Sequence, residues 1–392
     1  MRKLIIILIS AILMFSGCTS TEQQLTSPYT VIDSVLGNRT VGDGCVYEII
    51  RHTDGTQSIG VIDTENCTLR LLNKETELNM VEYSFGDIFY ADGFLYRVLN
   101  IGNYQEIEQF TADGKYIKEL IINNSTEFWV DNHNSNPVIF DGEKVYFAGK
   151  VYHNRDDSNN AILSFDLDTM TMEAVYEFAE GDFTIAGVYK DCFILNSTVS
   201  NPNHEVDKEY ISVVELLNMK TFEREVLFDY ADYIGNGYVI SVRWHQLDNE
   251  RIYSNFSNND LPVYNIRTRE KSTLPIHSEG EGYHYVISVT EPMDDHIMVW
   301  TLNEDYTKYS YYMYNLKANK KTAVYESTIS GKPCPSIGEY VDGYYLVSMG
   351  RETIIAQSGL KVDEPVYAWI KADDLYNGKM NLEYITNTVE YK

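Results

Sequence analysis

Side chains able to bind or react cluster in a few polar stretches: Arg51 with His52, "HNRDDSNN" (153–160), "STVSNPNHEVDKE" (197–209) and "HSEGEGYH" (277–284). In the second stretch Asn154, Asp156, Ser158 and Asn160 alternate as oxygen donors. Calcium takes roughly six to eight oxygens, usually with a distal bidentate acid. Neither the defining glycine nor a well-placed glutamate follows, so a solvated hairpin is the better reading. Glu279 and Glu281 suggest the carboxylate couple of glycoside cleavage, yet a glycine follows each and argues for a mobile loop. No HExxH, GxSxG, GxxxxGK or GxGxxG pattern is present, and the eight histidines are scattered.

Aromatic side chains are the other candidates, since they stack on sugars as readily as they fill cores. Trp300 and Trp369 lie inside apolar strand patterns and read as core. Trp129 sits in the polar stretch "NNSTEFWVDNHNSNP" and reads as exposed, whereas Trp244 and His245 end a first strand and are expected near a central channel. The ligand-binding candidates are therefore Arg51, His52, Trp129, His153, Arg155, Asp156, Asp157, His204, Glu279, Glu281 and His284. No catalytic residue, metal ligand or cofactor is assigned.

The elements that must position these residues are strands. Tyrosine is frequent (32 residues), β-branched and aromatic residues alternate with polar ones, and Gly, Asn and Asp punctuate the runs. "VIFDGEKVYFAGKVYH" reads as strand, turn, strand; "AILSFDLDTMTMEAVYEF" repeats the pattern. The second of these hairpins recurs as "VIDTENCTLRLL", "QFTADGKYIKEL", "LLNMKTFEREVL", "YNIRTREKSTLP" and "YNLKANKKTAVY". Taking Asp63, Thr111, Asp166, Asn218, Asn265, Asn315 and Asp373 as equivalent gives steps of 48, 55, 52, 47, 50 and 58 residues. A second marker, from "GCVYEII" through "GFLYRVL" and "EKVYFAG" to "GYYLVSM", keeps the same order.

Seven units of this kind resemble a β-propeller, whose blades repeat at about 40 to 50 residues. A lone four-stranded blade exposes two apolar faces, and only stacking around an axis covers both. The expected fold is all-β, a propeller of seven four-stranded blades over residues 29–392, with six or eight blades left open. "FTADGKYIKEL" resembles the Asp-Gly-Lys hairpin of six-bladed and NHL-like propellers. WD, Kelch and Asp-box signatures are absent. A pair of β-sandwich domains and a β-helix are the competing architectures.

The amino terminus carries its own chemistry. Arg2 and Lys3 precede an apolar run from Leu4 to Phe15, too short for the ~20 residues of a membrane span and laid out like an export signal. Phe15, Ser16, Gly17 and Cys18 resemble the lipobox of bacterial lipoproteins, with Phe in place of the commoner Leu. The resemblance implies cleavage after Gly17 and a diacylglycerol thioether on Cys18. Residues 1–17 would be signal peptide and 18–28 a polar tether, placing the protein on the extracytoplasmic face of the cell membrane.

Removing the signal takes away two cations and no acid, so the net charge moves from −27 by two, to −29. Such an excess of carboxylate repels phosphate backbones and disfavours nucleic acid. The remaining cysteines, Cys45, Cys67, Cys192 and Cys334, show no CxxC spacing and fall in blades 1, 1, 4 and 7; buried free thiols are expected. The function expected is a membrane-anchored, monomeric module binding a protein or glycan partner. A carbohydrate-active hydrolase or lyase is the alternative, and an envelope-complex subunit a third reading.

Overall fold

Aspartate and glycine turn the chain between the first two strands of three blades. Asp43 and Gly44, Asp92 and Gly93, and Asp342 and Gly343 hold φ of 48° and 71°, 48° and 79°, and 48° and 86°. That left-handed geometry gives a two-residue hairpin whose twist matches the paired strands, and these residue types adopt it at least cost.

The computed structural model describes residues 27–33, 36–52, 56–72, 86–101, 104–123, 127–131, 136–154, 157–229 except 201–209, 243–254, 261–275, 284–289, 295–303, 305, 307–328, 335–356 and 358–390. Strand β1 (Thr30–Asp33) precedes the first blade. Blade 1 is β2 (Arg39–Gly42), β3 (Cys45–Arg51), β4 (Gln57–Asp63) and β5 (Thr68–Leu71). Blade 2 is β6 (Gly86–Ala91), β7 (Phe94–Ile101), β8 (Tyr104–Thr111) and β9 (Tyr116–Asn123). Blade 3 has a divided first strand, β10 (Phe128–Val130) and β11 (Val138–Phe140), then β12 (Lys144–Asn154), β13 (Asp157–Asp166) and β14 (Thr171–Glu177). Blade 4 is β15 (Phe183–Tyr189), β16 (Cys192–Ser200), β17 (Tyr210–Asn218) and β18 (Arg224–Asp229).

Blade 5 is β19 (Trp244–Gln246), β20 (Arg251–Ser254), β21 (Leu261–Asn265) and β22 (Lys271–Leu274). Blade 6 is β23 (His284–Val289), β24 (His296–Asn303), β25 (Lys308–Asn315) and β26 (Lys320–Thr328). Blade 7 is β27 (Ser336–Val341), β28 (Tyr344–Ile355), β29 (Lys361–Lys371), the short helix α1 (Ala372–Tyr376) and β30 (Leu382–Tyr384). Strand β31 (Thr386–Asn387) ends the order. Each blade is an antiparallel sheet of its own strands in sequence order. The protein is a seven-bladed β-propeller.

The expected repeat positions fall on the ends of the third strands. Asp63, Thr111, Asp166, Asn218, Asn265 and Asn315 close β4, β8, β13, β17, β21 and β25. Each side chain accepts a backbone N–H of its own turn: Asn66 to Asp63, Lys115 to Thr111, Thr169 to Asp166, Thr221 to Asn218, Thr268 to Asn265 and Ala318 to Asn315, at 2.6 to 3.0 Å. Such bonds replace a missing ladder partner within the turn. Blade 7 departs: α1 takes the place of the turn, and Asp373 lies in its first turn.

Apolar clusters lie at each junction between neighbouring blades. Phe89, Tyr96 and Val98 of blade 2 meet Phe147, Leu163 and Phe165 of blade 3. Val46 and Ile62 of blade 1 meet Leu346 and Trp369 of blade 7, which closes the ring. The other junctions are filled likewise. Side-chain amides stitch some of them further: Gln105 donates to Val130 O and accepts from Val130 N, and Asn196 does the same with Trp244.

Among the described residues neither blade 1 nor blade 7 takes any of its four strands from the other. The junction is held by Arg39, whose Nη1 lies 2.9 and 3.1 Å from the two Glu339 carboxylate oxygens, by Tyr367 donating to Glu48 Oε1 at 2.7 Å, and by Trp369 Nε1 donating to Asp63 O at 3.2 Å. Strand β31 also pairs in parallel with β5, the outer edge of blade 1. Cys45, Cys67 and Cys192 are free thiols, half-buried rather than fully buried; Cys334 lies outside the described residues. Among the described residues no helix is long and apolar enough to cross a membrane.

Two measurements check these energetics. Trp369 is fully buried, so Trp369→Ala is expected to lower unfolding free energy by about 3–5 kcal/mol, read from urea denaturation; a loss below about 1 kcal/mol would contradict its place in the closing core. In β19, burial and then the Arg243 cation hold the His245 imidazole down to about 4, against an ordinary 6.5. Between those values the unfolded chain takes up a proton that the folded chain refuses, so this group costs stability as pH falls from 6.5 toward 4. His245→Phe is expected to narrow the gap between melting temperatures at pH 7 and pH 4.5; an unchanged gap would count against it.

Candidate functional site

The ring has two unlike faces. One carries the turns between first and second strands and between third and fourth, and is called the turn face below. The other carries the hairpins between second and third strands and the crossings from blade to blade, and is called the loop face. Among the described residues the longest hairpin strands on the loop face are β12–β13 in blade 3 and β28–β29 in blade 7, of 10 to 12 residues.

The blade 3 hairpin keeps its ladder past the ring because polar residues can face water on both sides there. Pairing continues through Lys150 with Asn160 and Tyr152 with Ser158, then shifts to pair Asn154 with Asp157. On its flank His153 Nε2 lies 3.1 Å from Glu177 Oε2. Asn159 Nδ2 lies 3.2 Å from the same ring nitrogen and 3.3 Å from Glu177 Oε2. His153 and Glu177 are 43% and 37% exposed, so their attraction is screened and worth at most about 1 kcal/mol. The cluster offers a ring N–H or lone pair, an amide and a carboxylate to a polar ligand. Asp157 is exposed at the tip, and Arg155 and Asp156 lie outside the described residues.

The blade 7 hairpin has a different character. Ala356 is buried, and Ile354 and Val362 pack beside it against the blade 1 side, while Ile355 and Leu360 are 64% and 58% exposed. Thr353 Oγ1 donates to Asp363 Oδ1 at 2.7 Å across the strands. Polar and apolar contact groups thus occupy different hairpins of the same face.

The other sequence candidates are distributed as follows. Arg51 is exposed at the end of β3. His52 is buried: its N–H donates to Thr56 O, and Nε2 lies 2.9 Å from Ser58 Oγ, so it braces its hairpin. Trp129 is half-buried within β10, opposite Lys150 of β12, and so belongs to an inner strand rather than a free connection. Gly149 permits this approach, since a Cβ there would come within 2.3 Å of Trp129 O. Trp244 is fully buried, with its ring 4.8 Å from Phe228 and in the core shared by blades 4 and 5, which corrects its expected place in the channel. His284 opens β23. Cys18, His204, Glu279 and Glu281 lie outside the described residues.

The axis of the ring holds a feature that local sequence patterns do not reveal. Strand β1 pairs antiparallel with the free edge of β11, Thr30 opposite Phe140 and Val31 opposite Ile139. It also touches β6 and β15, the inner strands of blades 2 and 4. The chain therefore occupies its own channel on that side. At the turn-face end, Tyr29 packs edge-on against Tyr146 and Phe193, and Ser27 Oγ donates to Lys190 O at 2.6 Å. Burial, with Asp141 and Asp191 nearby, raises the Tyr29 phenol and keeps it neutral. At the other end Leu36 N donates to Asn136 O before the chain crosses to blade 1.

Across the channel, the Arg39–Glu339 fork is backed by Glu48, whose acid is raised by burial against the opposing pull of Arg39 and the Tyr367 hydrogen bond. Arg39, Glu48, Glu339 and Tyr367 face one another across the junction, so the cluster reads as a lock between blades. On blade 2, Glu108 grips the buried Arg97 guanidinium, which also donates to Gln57 Oε1 of blade 1 at 3.3 Å. Among the described residues no three His, Cys, Asp or Glu side chains converge as metal ligands would.

No family model matches the chain, and no curated protein matches its sequence significantly. Solved structures do resemble it. The β-propeller domain of the Trilobed protease from Pyrococcus furiosus, described as having an open velcro topology, aligns with a TM-score of 0.50 at 13% identity, over 90% of this chain and 98% of that one. A puromycin-hydrolyzing peptidase from Mycobacterium tuberculosis aligns at 0.53 and 10% identity, over 94% of this chain but 56% of its own. Oligogalacturonate lyase from Vibrio parahaemolyticus aligns at 0.50 and 9% identity, over 87% of this chain and 85% of its own. At such identities the likeness is one of fold alone: what the chain shares with these proteins is the propeller.

Proposed function

We propose that the protein is a lipid-anchored, extracytoplasmic propeller that binds a protein or glycan partner through its loop face. The observation that carries this reading is β1 in the axial channel. A ring whose centre is partly filled by its own chain leaves recognition to its rim, where loops on a rigid scaffold hold binding groups in place. The long hairpins supply both kinds of contact, the His153–Asn159–Glu177 cluster and the exposed Ile355 and Leu360. The anchor rests on Phe15, Ser16, Gly17 and Cys18; two or more acyl chains hold a protein at a bilayer far more firmly than one.

Cys18→Ala is expected to move the protein from the membrane pellet to the soluble fraction, and retention in the pellet would remove the anchor. For binding, residues 19–392 would be screened on a glycan array and against envelope extracts. The double change His153→Ala with Asn159→Ala is expected to weaken capture of the partner so found at least tenfold with an unchanged melting temperature. Undiminished capture would move recognition away from this hairpin.

A further inference from the structure

The path of the amino-terminal chain fixes more than the contents of the channel. Strand β11 runs from the loop face down to the turn at Asp141, and β1 is antiparallel to it, with Thr30 opposite Phe140 and Asp33 opposite Val138. The chain therefore enters the ring at the turn face and leaves it at the loop face. Its point of entry is pinned between blades 3 and 4 by the Ser27–Lys190 bond and by Tyr29 against Tyr146 and Phe193. Only nine residue steps separate Ser27 from Cys18, which at full extension span roughly 30 Å.

We infer that the turn face is the side held toward the bilayer and the loop face is the side presented outward, a conclusion that rests on the lipid anchor proposed above. A tether leaving the loop face would present the long hairpins to the membrane; this one leaves the opposite side. The hairpin strand β28 has 12 residues and at ~3.3 Å each spans about 40 Å, so its tip stands well beyond the reach of the tether. The charge of the turn face agrees with proximity without docking. Every blade places an aspartate in the turn between its first two strands: Asp43, Asp92, Asp141, Asp191, Asp248, Asp295 and Asp342. Lys220 and Lys317 pair with Asp191 and Asp295 at 3.0 and 2.5 Å, and Arg251 with Asp248 at 2.6 Å. The remaining carboxylates would meet anionic headgroups as like charge, which disfavours flat docking of this face.

The test uses the lipidated full chain in phosphatidylcholine–phosphatidylglycerol vesicles carrying a headgroup-coupled acceptor dye. A donor dye is attached through an azide-bearing residue replacing either Ala318, in a turn-face turn of blade 6, or Ser358, at the tip of the blade 7 hairpin. Flotation with the vesicles, lost in Cys18→Ala, reports the anchor separately from the orientation. Energy transfer is expected to be severalfold stronger from position 318 than from 358. Equal transfer, or stronger transfer from 358, in protein that floats overturns the orientation and leaves the anchor standing; a wild-type chain that does not float overturns both.

Discussion

Closure between blades 7 and 1 is the constraint on which the ring depends. A four-stranded sheet with two apolar faces needs a neighbour on each side, and an open row would leave two faces bare. Many-bladed rings can close by sharing strands within one blade; here blades 1 and 7 are each built from their own consecutive segments. Closure falls to side chains, the Arg39 bonds to Glu339, the Tyr367 bond to Glu48, the Trp369 bond to Asp63 and the apolar cluster beneath them, together with the backbone pairing of β31 on β5. Burying charge is costly unless partners satisfy it, and Arg39 meets that demand in part: Nη1 binds both Glu339 oxygens, while Glu48 lies 3.9 Å from Nε as a charge partner without a hydrogen bond. The parallel strap of β31 on β5 covers an edge that would otherwise be free to pair elsewhere.

The architecture was legible because its repeating part is local. A side-chain acceptor at the end of each third strand must sit two to four residues before the turn N–H it captures, so Asp63, Asn218 or Asn315 leaves the same mark wherever it recurs. Second strands were readable for a similar reason, since each carries a short continuous run of buried residues within one segment. Asp373 shows the limit of that logic: the spacing survives in blade 7, but a helix carries the chain around.

What escaped reading depends on contacts distant in sequence. The pairing of β1 with β11 joins residues more than one hundred positions apart, and blade 1 already has four strands without β1. Its alternating "YTVID" was the one available signal. His153 was visible as a residue type in a polar loop, but Glu177 lies two strands away and nothing in the loop announces it. Trp129 and Trp244 both lie beside polar stretches; one forms part of a divided inner strand and the other fills an interblade core. Neighbouring polarity describes the chain around a tryptophan, whereas its burial is decided by the blade across the gap.

The direction of β1 also sets how the molecule answers mechanical force. Hydrogen bonds in an antiparallel pair lie perpendicular to the strands, and a pull on the residues before Ser27 acts along the strand axis. Such tension loads the bonds between β1 and β11 together, in shear, instead of unzipping them one at a time. Tyr29, wedged between two rings at the point of entry, must also be dragged free before β1 can slide. The protein thus grips its own leading segment in the geometry that resists extraction best.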